Sequence, residues 1–309
     1  MFATLLGALP APRTGDPAAA LSAVVAAQEA AGLEPLADGR GALDLGAGQS
    51  DTVAGPVERW RATAALTQRA VKQVLRGPWS AVVGADPTMG SEPRARAVLA
   101  RAEAIREQVL ALAAAGCPLV EIEETDADRI GPDEGARRLF REAHARVARD
   151  IPRTHLSLSI VGGSAWEAGA ATILDPPYNS LAVDLVAGPD NWRLVALAPA
   201  DRGIVAGALD VRPGVAEGPE VLIWAARYAA STMGRSLARV GLGTGGGLAH
   251  LTWDHAIARL RVLGEAVRIE SLPEEERADA IDPRAVSIRA AALGRTRHSE
   301  RKGRAGAEG

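Results

Sequence analysis

Residues 91–124 read SEPRARAVLARAEAIREQVLALAAAGCPLVEIEE, and this stretch decides the fold. Leu99, Ile105, Val109 and Leu112 recur at helical spacing while Arg94, Arg101, Glu103 and Glu107 take the opposite face. The spacing therefore predicts a helix over Ser91 to Ala115 with one stripe packed on a sheet. Gly116 supplies the residue that ends it. Pro118 to Glu123 is a short run rich in apolar residues and reads as a strand. A long amphipathic helix running straight into such a strand is the repeat unit of a parallel sheet with helices outside it.

The same alternation extends in both directions. Strands are predicted at Ala3 to Leu9, Leu33 to Ala37, Ala70 to Leu75, Pro118 to Glu123, His155 to Ile160, Ser180 to Val186, Ile204 to Asp210 and Val240 to Gly243. Helices are predicted at Pro17 to Ala31, Glu58 to Arg69, Pro132 to Arg149, Glu217 to Ser236 and Trp253 to Ile269. Eight strands is the barrel number, so the reading is α/β class, a single (β/α)8 TIM barrel over residues 1–270. Residues 271–309 open on Glu274 to Glu276 and end in Arg295, Arg297, Arg301, Lys302 and Arg304 among Gly and Ala. With so little apolar content they are expected to be a polar, partly disordered tail.

Of the 309 residues, 47% are hydrophobic and 24% charged, enough to bury one full core. The net charge of −3 gives no electrostatic reason to bind nucleic acid or an anionic membrane, and it favours a small-molecule substrate. Lysine occurs only at positions 72 and 302. Cys117 is the one cysteine, which rules out an intrachain disulfide and fits a reducing cytoplasm. No segment reaches the roughly 18 uninterrupted apolar residues of a membrane span, and no basic stretch precedes a long apolar run at the amino terminus. The expectation is a cytoplasmic protein. An apolar outer helix face would point to a homodimer.

In a barrel, ligands sit at the carboxyl ends of the strands. The polar residues read there are Asp38 and Arg40, Glu123 and Glu124, His155 and Ser157, Asp184, Asp210 and Arg212, and His250. Alternation puts Glu121 and Glu123 on one side of their strand, and a carboxylate facing the lumen needs a partner. Glu123 either forms a salt bridge to Arg40 across the mouth or binds ligand. His155 and Ser157 share a strand face, with Asp184 on the next strand, so either the three converge as a metal site or an acid/base pair, or His155, near a strand start, is a satisfied structural residue. His144, His255 and His298 read as surface residues. Gly241 to Gly247 is either an anion cradle of backbone N–H groups or a tight turn lining the pocket.

These motifs resemble the catalytic half of cobalamin-independent methionine synthase, in the barrel superfamily that also holds uroporphyrinogen decarboxylase. Thr4-Leu-Leu-Gly-Ala-Leu-Pro10 resembles that family's opening strand and turn, and Gly32-Leu-Glu-Pro-Leu-Ala-Asp-Gly39 its second strand. Val71-Lys72 to Gly77-Pro78 resembles the third strand and its Gly-Pro turn. Ile122-Glu-Glu124 stands where the family has Ile-Asp-Glu, and Thr154-His-Leu-Ser157 where it has Thr-His-x-Cys. Gly247-Leu248 with Trp253 stands where it has Cys-Gly-Leu and a later Trp.

The resemblance implies a zinc ion that turns a substrate thiol into a thiolate, which then accepts a methyl group. Its ligands carry over to His155, Ser157, Asp184 and Gly246, so both thiolates are missing. The family's carboxylate for the substrate ammonium falls at Arg40, which inverts the charge, while its partner survives as Glu123. The Trp that stacks on folate falls near Gly84, with Trp79 displaced along the loop, which argues against folate.

Two readings follow. In the first, the chain is a methyl or alkyl transferase acting on a small thiol or related amino acid, with an altered site for zinc or another divalent metal. Glu123, His155 and Asp184 are its catalytic residues. Gly7, Ala8, Arg40, Trp79, Glu124 and Asp210 contact substrate, and His155, Asp184 and His250 hold the metal. In the second, a zinc-less barrel binds a small ligand or a partner protein without turnover.

Overall fold

The computed structural model describes residues 1–40, 54–214 and 218–281. Seven parallel strands form one sheet: β1 (Phe2–Thr4), β2 (Lys72–Arg76), β3 (Leu119–Glu124), β4 (His155–Ile160), β5 (Ser180–Asp184), β6 (Gly203–Leu209) and β7 (Val240–Thr244). Their order is β1-β7-β6-β5-β4-β3-β2, which leaves β1 and β2 as the edges.

The expected second strand fills the gap between those edges, though not as a regular strand. Glu34 N–H donates to the Ala3 carbonyl, Leu36 N–H to the Ala70 carbonyl, and Lys72 N–H to the Leu36 carbonyl, each at 2.8 Å. Thr4 Oγ1 donates to the Pro35 carbonyl, also at 2.8 Å. Only Leu36 and Val71 pair as a bridge, because Pro35 has no N–H to extend the ladder. The ring is thus closed in barrel fashion by seven strands and one proline-interrupted segment.

Helices cover the outside: α1 (Pro17–Ala30), α2 (Ala54–Ala64), α3 (Pro78–Val83), α4 (Ser91–Ala115), α5 (Glu134–Val147), α6 (Ala170–Leu174), α7 (Trp192–Leu197), α8 (Pro219–Ser231), α9 (Trp253–Glu270) and α10 (Glu274–Ala280). Asp16 caps α1 by accepting from Ala18 and Ala19 N–H, with Pro17 opening the helix. Gly116, at φ 92°, ends α4 in the left-handed conformation, and Cys117 N–H returns to the Leu112 carbonyl at 2.9 Å. The helix read over Glu58 to Arg69 lies earlier, at Ala54–Ala64, and the tail opens with the short α10. Its basic residues from Arg295 onward, and His298, lie outside the described residues.

Two hydrophobic cores result from the strand alternation. The larger lies between sheet and helices and includes Ile105, Val109, Leu112, Val120 and Ile122. The smaller is the lumen, where Leu6, Ala182 and Val205 pack with Phe2. A Cβ at Gly243 would sit 2.8 Å from Leu6 Cγ, and one at Gly241 would sit 2.4 Å from the Phe2 ring. Phe2 and Leu6 thus fill space that glycines on β7 leave open.

Among the described residues no helix is long and apolar enough to cross a membrane.

Candidate functional site

The carboxyl ends of β3, β5 and β6 place three acidic side chains, Glu123, Asp184 and Asp210, each almost wholly buried. The Glu123 carboxylate accepts from Gly7 N–H at 3.2 Å. Asp184 accepts three backbone N–H bonds, from Gly162 at 3.2 Å and from Val186 and Ala187 at 2.9 Å. Asp210 is held by the Arg212 guanidinium, whose Nε lies 2.9 and 3.0 Å from its two oxygens, and by Arg212 N–H at 2.9 Å. The hydrogen bonds and charge of Asp210 in turn raise the pKa of Arg212.

A glycine collar lets the chain approach these acids. At Gly246 (φ 92°) an added Cβ would lie 3.3 Å from Asp184 Oδ2, and at Gly7 (φ 71°) it would lie 2.7 Å from the Gly247 backbone. Leu248 N–H donates to the Ala8 carbonyl at 2.6 Å and Gly245 N–H to the Leu209 carbonyl at 2.7 Å. Of the two readings of the 241–247 stretch, the tight turn is the one found. Gly7 and Ala8 thus meet the 246–248 turn, and Gly246 lies against Asp184.

Several other expectations are corrected. His155 opens β4, and the register pairs Ile160 with Val183, so Asp184 is level with position 161. Six residues of strand rise put His155 roughly 20 Å from Asp184, at the opposite end of the barrel. His155 is exposed there, its Nε2 2.8 Å from Ser180 Oγ. His250 is exposed after β7 and its Nε2 meets the Val211 carbonyl at 2.9 Å. Glu123 and Arg40 form no ion pair among the described residues. Arg40 is exposed on a groove of about 340 Å³ beside Pro10, Pro12 and α1, and its N–H donates to Asp38 at 3.0 Å.

Glu124 and Trp79 prove structural. Glu124 points outward from β3 and accepts from Trp79 and Ser80 N–H at 3.0 and 2.7 Å, capping the start of α3. Trp79 is buried, its ring 6.4 Å from Phe140, and its Nε1 donates to the Asp126 carbonyl at 2.9 Å. His144, read as a surface residue, is fully buried. Its Nε2 meets Glu124 at 3.0 Å and its Nδ1 meets the Tyr178 hydroxyl at 2.7 Å. Phe140, Ala143 and Val147 flank it at helical spacing on the buried face of α5, a signal that places it inside.

The residues present do not fit a zinc ion. No three His, Cys, Asp or Glu side chains gather into a metal-binding group among the described residues. Asp184 spends its oxygens on backbone donors, His155 lies at the other end of the barrel and His250 Nε2 meets the Val211 carbonyl, short of the ligand set zinc requires.

Sequence reading also passed over a polar cluster inside the lumen. Lys72 Nζ lies 2.7 Å from Glu121 Oε2 and 2.6 Å from the Leu5 carbonyl, with both charged side chains almost wholly removed from water. Its signal was the lone lysine of the barrel, set in a strand.

No family model matches the chain, and no curated protein matches it. Solved structures do. A B12-independent methionine synthase from Shewanella sp. W3-18-1, in complex with selenomethionine, superposes with a TM-score of 0.68 at 16% identity, covering 87% of this chain and 98% of that one. A putative vitamin-B12-independent methionine synthase from Listeria monocytogenes gives 0.63 at 15% identity, covering 91% and 98%. A methyltransferase from Methanosarcina mazei gives 0.51 at 14% identity, covering 69% and 64%. The chain therefore shares the barrel fold of B12-independent methionine synthases.

Proposed function

We propose that the chain is a methyl or alkyl transferase acting on a small thiol or related amino acid, bound at the carboxyl-end mouth and handled without a zinc ion held by His155, Asp184 and His250. The observation that carries this reading is the set of buried carboxylates, Glu123, Asp184 and Asp210, around a collar of glycines. Carboxylates in such a water-poor setting favour a cationic group such as a substrate ammonium. In the transfer, the sulfur of the thiol forms a bond to the donor's methyl carbon as the donor–carbon bond breaks. The thiol proton passes to a mouth carboxylate. The likeness in fold to B12-independent methionine synthases supports the class of reaction.

The second reading, ligand binding without turnover, has its own support. Asp184 and Asp210 are already engaged by protein donors, and His155, the imidazole read as base, lies at the other end of the barrel from Asp184. Calorimetric titration with homocysteine and selenomethionine, beside transfer of a labelled methyl group from methyl-tetrahydrofolate or methylcobalamin, separates the two. Binding with transfer supports the transferase, and binding without transfer supports the ligand-binding barrel. If neither amino acid binds, both lose their substrate.

A further inference from the structure

The amino end of the barrel, opposite the mouth, holds a cavity of about 760 Å³, within the range of roughly 300–1,000 Å³ typical of small-molecule sites. Lys72, Glu121 and Ser157 are among its polar lining, with Asp201, Arg202 and Arg239 adding further charges of both signs, and Phe2, Leu119 and Val205 give it apolar walls. The lumen cluster of Leu6, Ala182 and Val205 packs the barrel interior, so this cavity is a different place from the carboxylate mouth.

Its polar part is incompletely satisfied by the protein. Among the described residues Glu121 Oε1 and Ser157 Oγ have no hydrogen-bond partner, although each residue is only 2% exposed. Buried polar atoms of this kind are rarely left unmet. Lys72 has given two of its three donors to Glu121 Oε2 and the Leu5 carbonyl, so what remains on offer is chiefly a carboxylate oxygen, which accepts, and a hydroxyl, which both accepts and donates.

We propose that this amino-end cavity binds a small neutral amphipathic molecule whose hydroxyl or amide head donates to Glu121 Oε1 and accepts from the Ser157 hydroxyl, while its apolar body lies against Phe2, Leu119 and Val205. The head is neutral because the floor carries both signs. An anionic head would face the Glu121 carboxylate, and an ammonium would face Lys72. The apolar walls supply the binding energy and the two polar groups the orientation.

The test titrates the full chain with hexan-1-ol and, in parallel, with hexyl methyl ether, hexanoate and hexylammonium, following saturation-transfer NMR and melting temperature. Hexan-1-ol is expected to bind saturably and raise the melting temperature, with the other three about fivefold weaker or worse, the worth of one hydrogen bond. Ser157→Ala is expected to weaken hexan-1-ol by about the same factor. Leu119→Trp, which fills the cavity, is expected to abolish binding of both alcohol and ether. If that variant fails to fold, Ser157→Ala decides alone. Equal binding of alcohol and ether, preference for a charged head, no saturable binding, or indifference to Ser157→Ala would each overturn the proposal. None of these outcomes bears on ligand binding at the opposite mouth.

Discussion

Lys72 Nζ and Glu121 Oε2 meet at 2.7 Å inside the lumen, on neighbouring strands and with 1% and 2% of their side chains exposed. Such a pair adds little over an apolar filling, because desolvating two charges offsets their attraction, but it is costly to break on one side. Lys72→Met should destabilise the fold by about 3–5 kcal/mol, since Glu121 is left charged and alone. Lys72→Met with Glu121→Leu should recover much of that loss. Urea denaturation of the three proteins checks the ordering; a double variant as unstable as the single one would show that the pair does more than neutralise itself.

Tyr178, His144 and Glu124 form a second buried polar chain, between α5 and the sheet. Burial, reinforced by the charge of Glu124, raises the Tyr178 pKa well above the ordinary phenol value, so the hydroxyl keeps its proton across the working pH range. Tyr178→Phe removes the partner of His144 Nδ1 without changing the ring volume. It should cost about 1–3 kcal/mol, the penalty of a buried polar atom left unmet. His144→Phe should cost more, because Glu124 and Tyr178 both lose a partner. A melting-temperature series on the two variants reads this directly.

How legible these features were depends on whether period or motif carried the reading. Alternation placed Glu121 and Glu123 on one lumen face, as found, and it located seven of the eight ring positions as strands. Pro35 broke the eighth, since local composition cannot show that a segment with one missing donor still bridges two edges. His155 was misplaced for another reason. The strand read over His155 to Ile160 already puts it at the amino end, while the likeness of Thr154-His-Leu-Ser157 set it at the mouth, and in a parallel barrel the two ends are different environments. The carboxyl end of β4 presents Ser159 and Ile160, with Val161 and Gly162 following, and no imidazole.

Cys117 lies just past the end of α4, buried, its Sγ 3.2 Å from the Leu119 carbonyl. Burial pushes its pKa up to about 11. At pH 8 the thiolate fraction is then on the order of one in a thousand, and the thiol should resist iodoacetamide in the native protein. In urea it should react at the rate of an ordinary cysteine. The linkage has a definite sign: above the ordinary thiol value of 9.0 the unfolded chain loses its proton first, so stability is full below that pH and declines as pH rises toward the folded value. Fast native labelling at pH 8 would contradict the burial.

Gly7 stands at φ 71°, and a Cβ there would lie 2.7 Å from both N and Cα of Gly247. Gly7→Ala should therefore cost on the order of 1–2 kcal/mol in backbone conformation alone, and the contact adds to it because the obstacle is backbone. Its N–H also donates to Glu123, so a shift of the turn moves a mouth carboxylate. A lowered urea midpoint together with weakened selenomethionine binding is the expected pair of results. A stability loss without any change in binding would separate the collar from the site.

The separation of His155 from Asp184 yields the sharpest functional contrast. Since the register puts the two at opposite ends of the barrel, His155→Ala should leave amino-acid binding at the mouth unchanged within about twofold, as expected of distant sites. Asp184→Asn acts differently. The amide retains one carbonyl acceptor for the Val186 and Ala187 N–H groups but turns its other atom, facing Gly162 N–H, into a donor. Two donors then oppose each other, and the loop after β4 must move, so binding should weaken about tenfold or more. Equilibrium dialysis against zinc should give less than one ion per chain in the parent protein, because among the described residues no three His, Cys, Asp or Glu side chains gather as a metal site. If His155→Ala and Asp184→Asn weakened binding alike, and zinc bound stoichiometrically, the two residues would have to meet, against the register of β4 and β5.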